Sequence, residues 1–142
     1  MHHHTAAKLT RITAIVLIFY SLVWATAAYG PIDTPAQVLL DVLAWPLGDG
    51  RPVWDANITW MSSIGAGLLM ALGVIFLGII APAVDQGNRR AVQTTIIAML
   101  LWFVIDSAGS IAAGFTANAV INLITLVPIL LPMVLIKWEA KA

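Results

Sequence analysis

Residues 91–113 read AVQTTIIAMLLWFVIDSAGSIAA, and this stretch decides the fold. A bilayer core needs about 20 consecutive apolar residues to be crossed by a helix. From Leu100 to Ile105 the sequence is apolar all round the helical wheel, whereas a helix on a soluble core keeps a polar face. One charge-capable residue, Asp106, interrupts the run.

Three further runs have this length: 12–29, 58–80 and 119–136. Backbone groups in lipid must be satisfied within their own segment, so each run is expected to be a helix. Leu68-Leu69-Met70-Ala71-Leu72 has no period of two, which argues against an outer-membrane barrel. Lys8 and Arg11 give the first run the flank of a signal peptide, with Ala25, Ala27 and Ala28 as possible cleavage residues. Its apolar stretch is longer than a signal core, so it is read as a retained span.

Composition agrees. Of 142 residues, 61% are hydrophobic and 10% charged, against about 25% charged in a soluble domain. Seven basic and seven acidic residues leave zero formal charge. An ordinary soluble globule, a disordered chain and a basic nucleic-acid binder are excluded, so no nucleic acid is expected as partner. The expected fold is all-α: one polytopic domain over 12–138 with four transmembrane helices in an antiparallel bundle. A tail of residues 1–11 precedes it and a tail of 139–142 follows it.

The connections differ in length. Pro82 to Arg90 reads as a short turn with its bend at Gly87-Asn88. About five residues around Gly114–Asn118 join the last two helices, and such short loops make antiparallel neighbours. The first loop, 30–57, is long. Within it Thr34-Pro35 reads as an N-cap followed by proline at the first helical position. Val38, Leu39, Val42, Leu43 and Trp45 follow at helical spacing. An interfacial helix is therefore expected over 35–45, ended by Pro46, with a turn at 48–52.

Lys8, Arg11, Arg89, Arg90, Lys137 and Lys141 fall on one side of this topology, and Arg51 alone on the other. The positive-inside bias predicts both termini in the cytoplasm of a bacterial inner membrane. Tyr29, Trp54 and Trp60 then sit near the outer interface and Trp138 near the inner one.

No catalytic set is apparent. The chain has no cysteine, hence no disulfide or thiolate site. Its histidines are His2, His3 and His4, native residues or a tag remnant, and none lies in an apolar run. Bis-histidine haem ligation within the membrane is excluded, and no lysine lies mid-span to anchor a Schiff base. No cofactor, metal or enzymatic activity is expected.

The residue of interest is Asp106, about 10 Å below the outer end of its helix. An ionisable group at such depth costs about 2.5–3.5 kcal/mol and should face the bundle and find a partner. Asn122 lies at matching depth, with Asn118 at i−4 on the same face. Ser107, Ser110 and Thr125 add hydroxyls, and Asn57, Thr59, Ser62 and Ser63 stand at the outer end of the second helix. The cluster serves either as a hydrogen-bond network that fixes register, with Asp106 on Asn122, or as a polar pocket for a small molecule or lipid headgroup. Proton or cation coupling in an oligomeric carrier is a third role.

Ser63, Gly67 and Ala71, with Gly65, Gly73 and Gly78, give small-residue spacing on the second helix, expected to serve packing within the chain ahead of a homodimer seam. Gly109 and Ala113 extend this to the third helix. Pro128 and Pro132 bend the fourth and free carbonyls at Ile124 and near Pro128, which either line a cavity or bond to Thr125. Arg89 and Arg90 suit a lipid headgroup or act as a topology signal.

Residues 54–138 resemble the small four-helix bacterial membrane proteins of the DoxX-like group, which includes a related family of unknown function. The likeness rests on Gly65-Ala66-Gly67, the basic turn, Asp106-Ser107-Ala108-Gly109, Asn118 and Asn122, and the prolines of the last helix. The long loop with Trp45 and Trp54 departs from the shorter pattern of that group. The resemblance implies a left-handed four-helix bundle in the inner membrane and no reaction. A non-enzymatic accessory subunit or a binder of lipid or a hydrophobic small molecule is the expected function, with a small oligomeric carrier as the alternative. The expected partners are membrane lipid and a larger membrane complex or a second copy.

Overall fold

The computed structural model describes residues 1–43 and 55–138. Five helices are present among them: α1 (His3–Ala25), α2 (Thr34–Leu43), α3 (Ala56–Asp85), α4 (Arg89–Ala112) and α5 (Thr116–Val134). Four are long and apolar enough to cross a membrane; α2, with ten residues, is not. No strand occurs among the described residues. The expected four-helix membrane bundle is the architecture observed.

The helix bounds differ from the apolar runs for identifiable reasons. The runs place the first helix from Ile12, after an N-terminal tail, but α1 begins at His3. Ala6, Ala7 and Thr10 continue the inward spacing of Ala14, Leu17 and Ser21, so the helix keeps its packing face after leaving the apolar layer. It ends at Ala25, followed by single 3-10 turns at Thr26–Ala28 and Gly30–Ile32.

Pro82 does not begin the turn after α3. It lies inside the helix, directly after a π-helical stretch, Phe76–Ile80. A proline cannot donate to its i−4 carbonyl and clashes with it, and the widened turn ahead of Pro82 relieves that conflict. The helix then stops at a Schellman cap. Gly87 has φ +68°, its N–H donates to Val84 O at 3.1 Å, and Asn88 N–H donates to Ala83 O at 2.9 Å. The Asn88 side chain caps α4 by accepting from Ala91 N–H at 3.0 Å. The α4–α5 turn repeats the cap, with Gly114 at φ +88° and Phe115 N–H on Ser110 O at 2.8 Å. Asp55 N-caps α3, its Oδ1 accepting from Ile58 N–H at 2.8 Å.

The helix in the first loop spans Thr34–Leu43, and Asp33 O accepts its first bond from Gln37 N–H at 2.9 Å. Thr34 is thus the first helical residue rather than the cap. Ala36 and Leu43 are buried against the ends of α1 and α5, while Val38 and Val42 are exposed. Of the expected apolar face, Leu43 is buried and Leu39 half-buried, while Ala36, not counted in that face, packs inward in place of Val38 and Val42. Trp45, Pro46, the turn at 48–52 and Trp54 lie outside the described residues.

The packing is that of a lipid-solvated bundle. Small residues are inside: Ala6, Ala7, Ala14, Ala66 and Ala81 are buried. Many large apolar ones point out, Phe19 at 68% exposure and Ile105 at 72%, while Leu17, Phe76, Ile129 and Met133 are buried among the small residues. In lipid the drive to bury leucine is gone, and close contact between small residues holds helices together. Buried positions on α3 (Ser62, Ala66, Gly73, Phe76) face those on α1 (Ala14, Leu17, Ser21). A Cβ on Gly65 would stand 2.6 Å from the Trp24 ring, and Gly73 is the described glycine that abuts the backbone of α1. A Cβ there would stand 2.7 Å from Ile18 Cγ1 and 3.3 Å from the Ala14 carbonyl oxygen.

The α1 helix packs along both α3 and α5, and α4 packs along α5. The main contacts of α4 with α3 are at the π stretch and the last turn of α3. The two helices therefore separate toward the end of the bundle opposite the termini. At the terminal end the chain is tied together. Asp85 accepts from His4 Nδ1 at 3.2 Å and from Arg11 Nη2 at 3.3 Å, and Lys137 N–H donates to Met1 O at 3.0 Å.

The two kinds of glycine on α3 give a test. Gly73→Ala should lower stability by about 1–3 kcal/mol through overpacking against α1. At Gly78 nothing lies within 4 Å of an added Cβ. Gly78→Ala should be neutral or slightly stabilising. Thermal unfolding of both variants in detergent checks this, and equal effects would contradict the assigned seam.

Candidate functional site

The polar groups of α4 and α5 form two separate sets. The first is Asp106, Ser110 and Asn118. Ser110 Oγ and Asn118 Nδ2 each lie 3.2 Å from Asp106 Oδ1, and Asn118 Nδ2 also lies 2.7 Å from Ser110 Oγ. The second is Ser107 and Asn122, with Asn122 Nδ2 donating to Ser107 Oγ at 3.2 Å.

Asn122 was the expected partner of Asp106, but it bonds Ser107. Successive residues on a helix turn through about 100°, so Ser107 points into the α4–α5 seam and Asp106 to its edge. Ser107 and Asn122 are buried, whereas Asp106, Ser110 and Asn118 are partly exposed. The tight Gly114 turn brings the first residues of α5 beside the last turns of α4, and so sets Asn118 against Asp106.

Asp106 holds its two oxygens differently. Oδ1 takes both donors. Oδ2 has no partner among the described residues, yet it is not among the buried unsatisfied atoms, so it reaches the molecular surface of the described part. A carboxylate oxygen can accept two hydrogen bonds, and this one is left open within an apolar span.

Asn57 does not join either set. It is exposed in the first turn of α3, and that half of α3 packs on α1. Ser62 is buried in the α1–α3 seam, while Ser63 is exposed. Ser63, Gly67 and Ala71 all face outward, so the stripe expected to pack within the chain is on the outside, and Gly65 and Gly73 carry the inward contact. Gly109 and Ala113 are also exposed.

A shallow groove of about 260 Å3 lies between α1 and α3 near the first loop, lined by Ser21, Ala25, Tyr29, Ser63, Gly67 and Met70. No member of the Asp106 set lines it. The carbonyl freed by Pro132 is that of Pro128. It is met by Thr13 of α1 at 3.4 Å rather than by Thr125. Sequence spacing alone could not show this, because the donor is on another helix. Arg89 and Arg90 are exposed, and the Arg89 guanidinium lies 5.7 Å from the Trp138 ring centroid. No group of three or more His, Asp or Glu side chains suited to a metal occurs among the described residues.

No family model, curated protein or solved structure matches the chain. The fold defines its class without them: a multi-pass α-helical membrane protein. The two polar sets should behave differently. Asn122→Leu removes a buried bond and should cost about 0.6–1.7 kcal/mol, the range measured for hydrogen bonds between membrane helices. Ser107→Ala should be non-additive with it in a double-mutant cycle. Asp106→Asn, with an edge position and its accepting oxygen retained, should cost less than Asn122→Leu. Reversible unfolding in mixed micelles gives all three values.

Proposed function

We propose that this protein is a non-enzymatic binding or accessory subunit of the bacterial inner membrane, and that the edge of the α4–α5 seam at Asp106 is where it engages a hydrophobic ligand or a membrane partner. The observation that carries this is the free Oδ2 of Asp106. A register bolt needs its polar atoms satisfied, and the Ser107–Asn122 pair meets that requirement. Asp106 does so with one oxygen only. An intramembrane acid is costly enough that an accepting atom facing lipid calls for a donor from outside the chain.

The likeness to DoxX-like proteins is consistent with this role and supplies no reaction. A cytoplasmic side for both termini is supported by the basic residues, five of which (Lys8, Arg11, Arg89, Arg90 and Lys137) gather at the terminal end of the bundle. In that orientation Arg89 and Arg90 lie at the anionic inner leaflet and bind lipid headgroups. A second reading, a small carrier working as an oligomer, is favoured by the outward stripe Ser63-Gly67-Ala71, which suits a seam with another copy.

Two experiments test the proposal. A fluorescent reporter that matures only in the cytoplasm, fused after Ala142, should be active; activity only of a periplasmic reporter would overturn the orientation. Native membrane extraction followed by lipid, metabolite and protein mass spectrometry should recover a molecule with the wild type that is lost with Asp106→Asn at equal expression. Recovery unchanged by Asp106→Asn would remove Asp106 from the function.

A further inference from the structure

The chemistry around Asp106 narrows what can bind there. We infer that the site takes an organic cation, an ammonium or guanidinium group on an apolar body, through Asp106 Oδ2, with Trp102 one helical turn away on the same face of α4. The inference rests on the binding role proposed for this site and names its ligand class.

Both donors near Asp106 are already spent on Oδ1. What remains is an acceptor, so an anionic or acceptor-only ligand has nothing to bond. Among the described residues no basic side chain serves Asp106 as counter-ion. Lys8, Arg11, Arg89, Arg90 and Lys137 are all at the terminal end, and Arg11 is engaged with Asp85. With no cation of the described residues beside it, Oδ2 is open to a proton, a metal ion or an organic cation.

A proton would turn Oδ2 into a donor, and it has no acceptor among the described residues. A hard metal ion prefers six or more oxygen ligands. Here the neighbouring Asn118 presents its amide nitrogen and Ser110 its hydroxyl hydrogen to Asp106, and Asp106 belongs to no group of three or more metal-suited side chains among the described residues. An N–H cation needs only one good acceptor and a surface for its body.

The same helix provides that surface. Trp102 stands at i−4 and Gly109 at i+3 from Asp106, on one face of α4. Trp102 is partly exposed, and an indole is the best aromatic face for a cation. Nothing lies within 4 Å of a Cβ built on Gly109, so the approach over Asp106 is open. The main contacts of α3 with α4 are at its opposite end, which leaves lateral access along the upper part of α4. Carboxylate, ring and open flank are the elements of an ammonium site within an apolar surface.

The test uses the full chain in phosphatidylcholine nanodiscs, with octylammonium as probe and octanol as its neutral match. Isothermal titration should give saturable, one-to-one octylammonium binding in excess of partition into empty nanodiscs. Asp106→Asn should weaken it about tenfold or more, the loss expected for one charge-assisted hydrogen bond. Trp102→Leu should weaken it several-fold, with melting temperature recorded for both variants. Octanol should bind no better to wild type than to Asp106→Asn, and Mg2+ or Ca2+ should not compete. Equal octylammonium binding by wild type and Asp106→Asn, or displacement by the divalent ions, would overturn the assignment. If Asp106→Asn loses its co-purifying molecule while octylammonium never binds, the cation inference fails and the binding role survives. If octylammonium binds through Asp106 but native extraction is unchanged, the site is cationophilic and the proposed function fails.

Discussion

The close approach of α1 and α3 at Gly73 is the contact on which the rest of the bundle depends. Lipid gives no reward for burying leucine, so helices must gain by fitting backbone to backbone. Gly73 lets the α1 backbone at Ala14 come within reach of α3. With α1 seated there, its other face is presented to α5, and Thr13 meets the carbonyl that Pro132 leaves free. The α5 helix, with Pro128 and Pro132 inside it, then carries α4. One helix therefore organises both hairpins, and α4 is held by α5 and the lower end of α3 alone.

That arrangement separates two uses of polarity. In the α4–α5 seam Ser107 and Asn122 satisfy each other and are buried, as a structural pair should be. One residue round the helix, Asp106 is fixed by Ser110 and Asn118 through a single oxygen. The fixing donors hold the side chain in place, and the other oxygen is left to the surroundings. A group positioned this firmly and satisfied this incompletely is preorganised for a donor it does not itself possess.

Much of this was legible in the sequence. Length and charge scarcity gave four spans, and the short turns gave antiparallel order. Asp106 was singled out because it is the one charge-capable residue inside a run. The bounds were less legible, since hydropathy stops at Lys8 and Pro82 while helices continue on small residues and through a π turn. Pairing across helices was least legible. Whether Asp106 meets Asn118 or Asn122 depends on rotation about the helix axis, and which small residues face inward depends on the same quantity. Spacing fixes which residues share a face, but not which neighbour that face meets.

The central claim is that adjacent residues of α4 differ in access: Asp106 open at the edge, Ser107 closed in the seam. The chain has no cysteine, so Asp106→Cys and Ser107→Cys can each carry one nitroxide. Collision with dissolved oxygen in nanodiscs, read by electron paramagnetic resonance, should be frequent and the label mobile at position 106. At position 107 collisions should be rare and the label immobile. Equal protection at both positions, or the reverse order, would contradict the account.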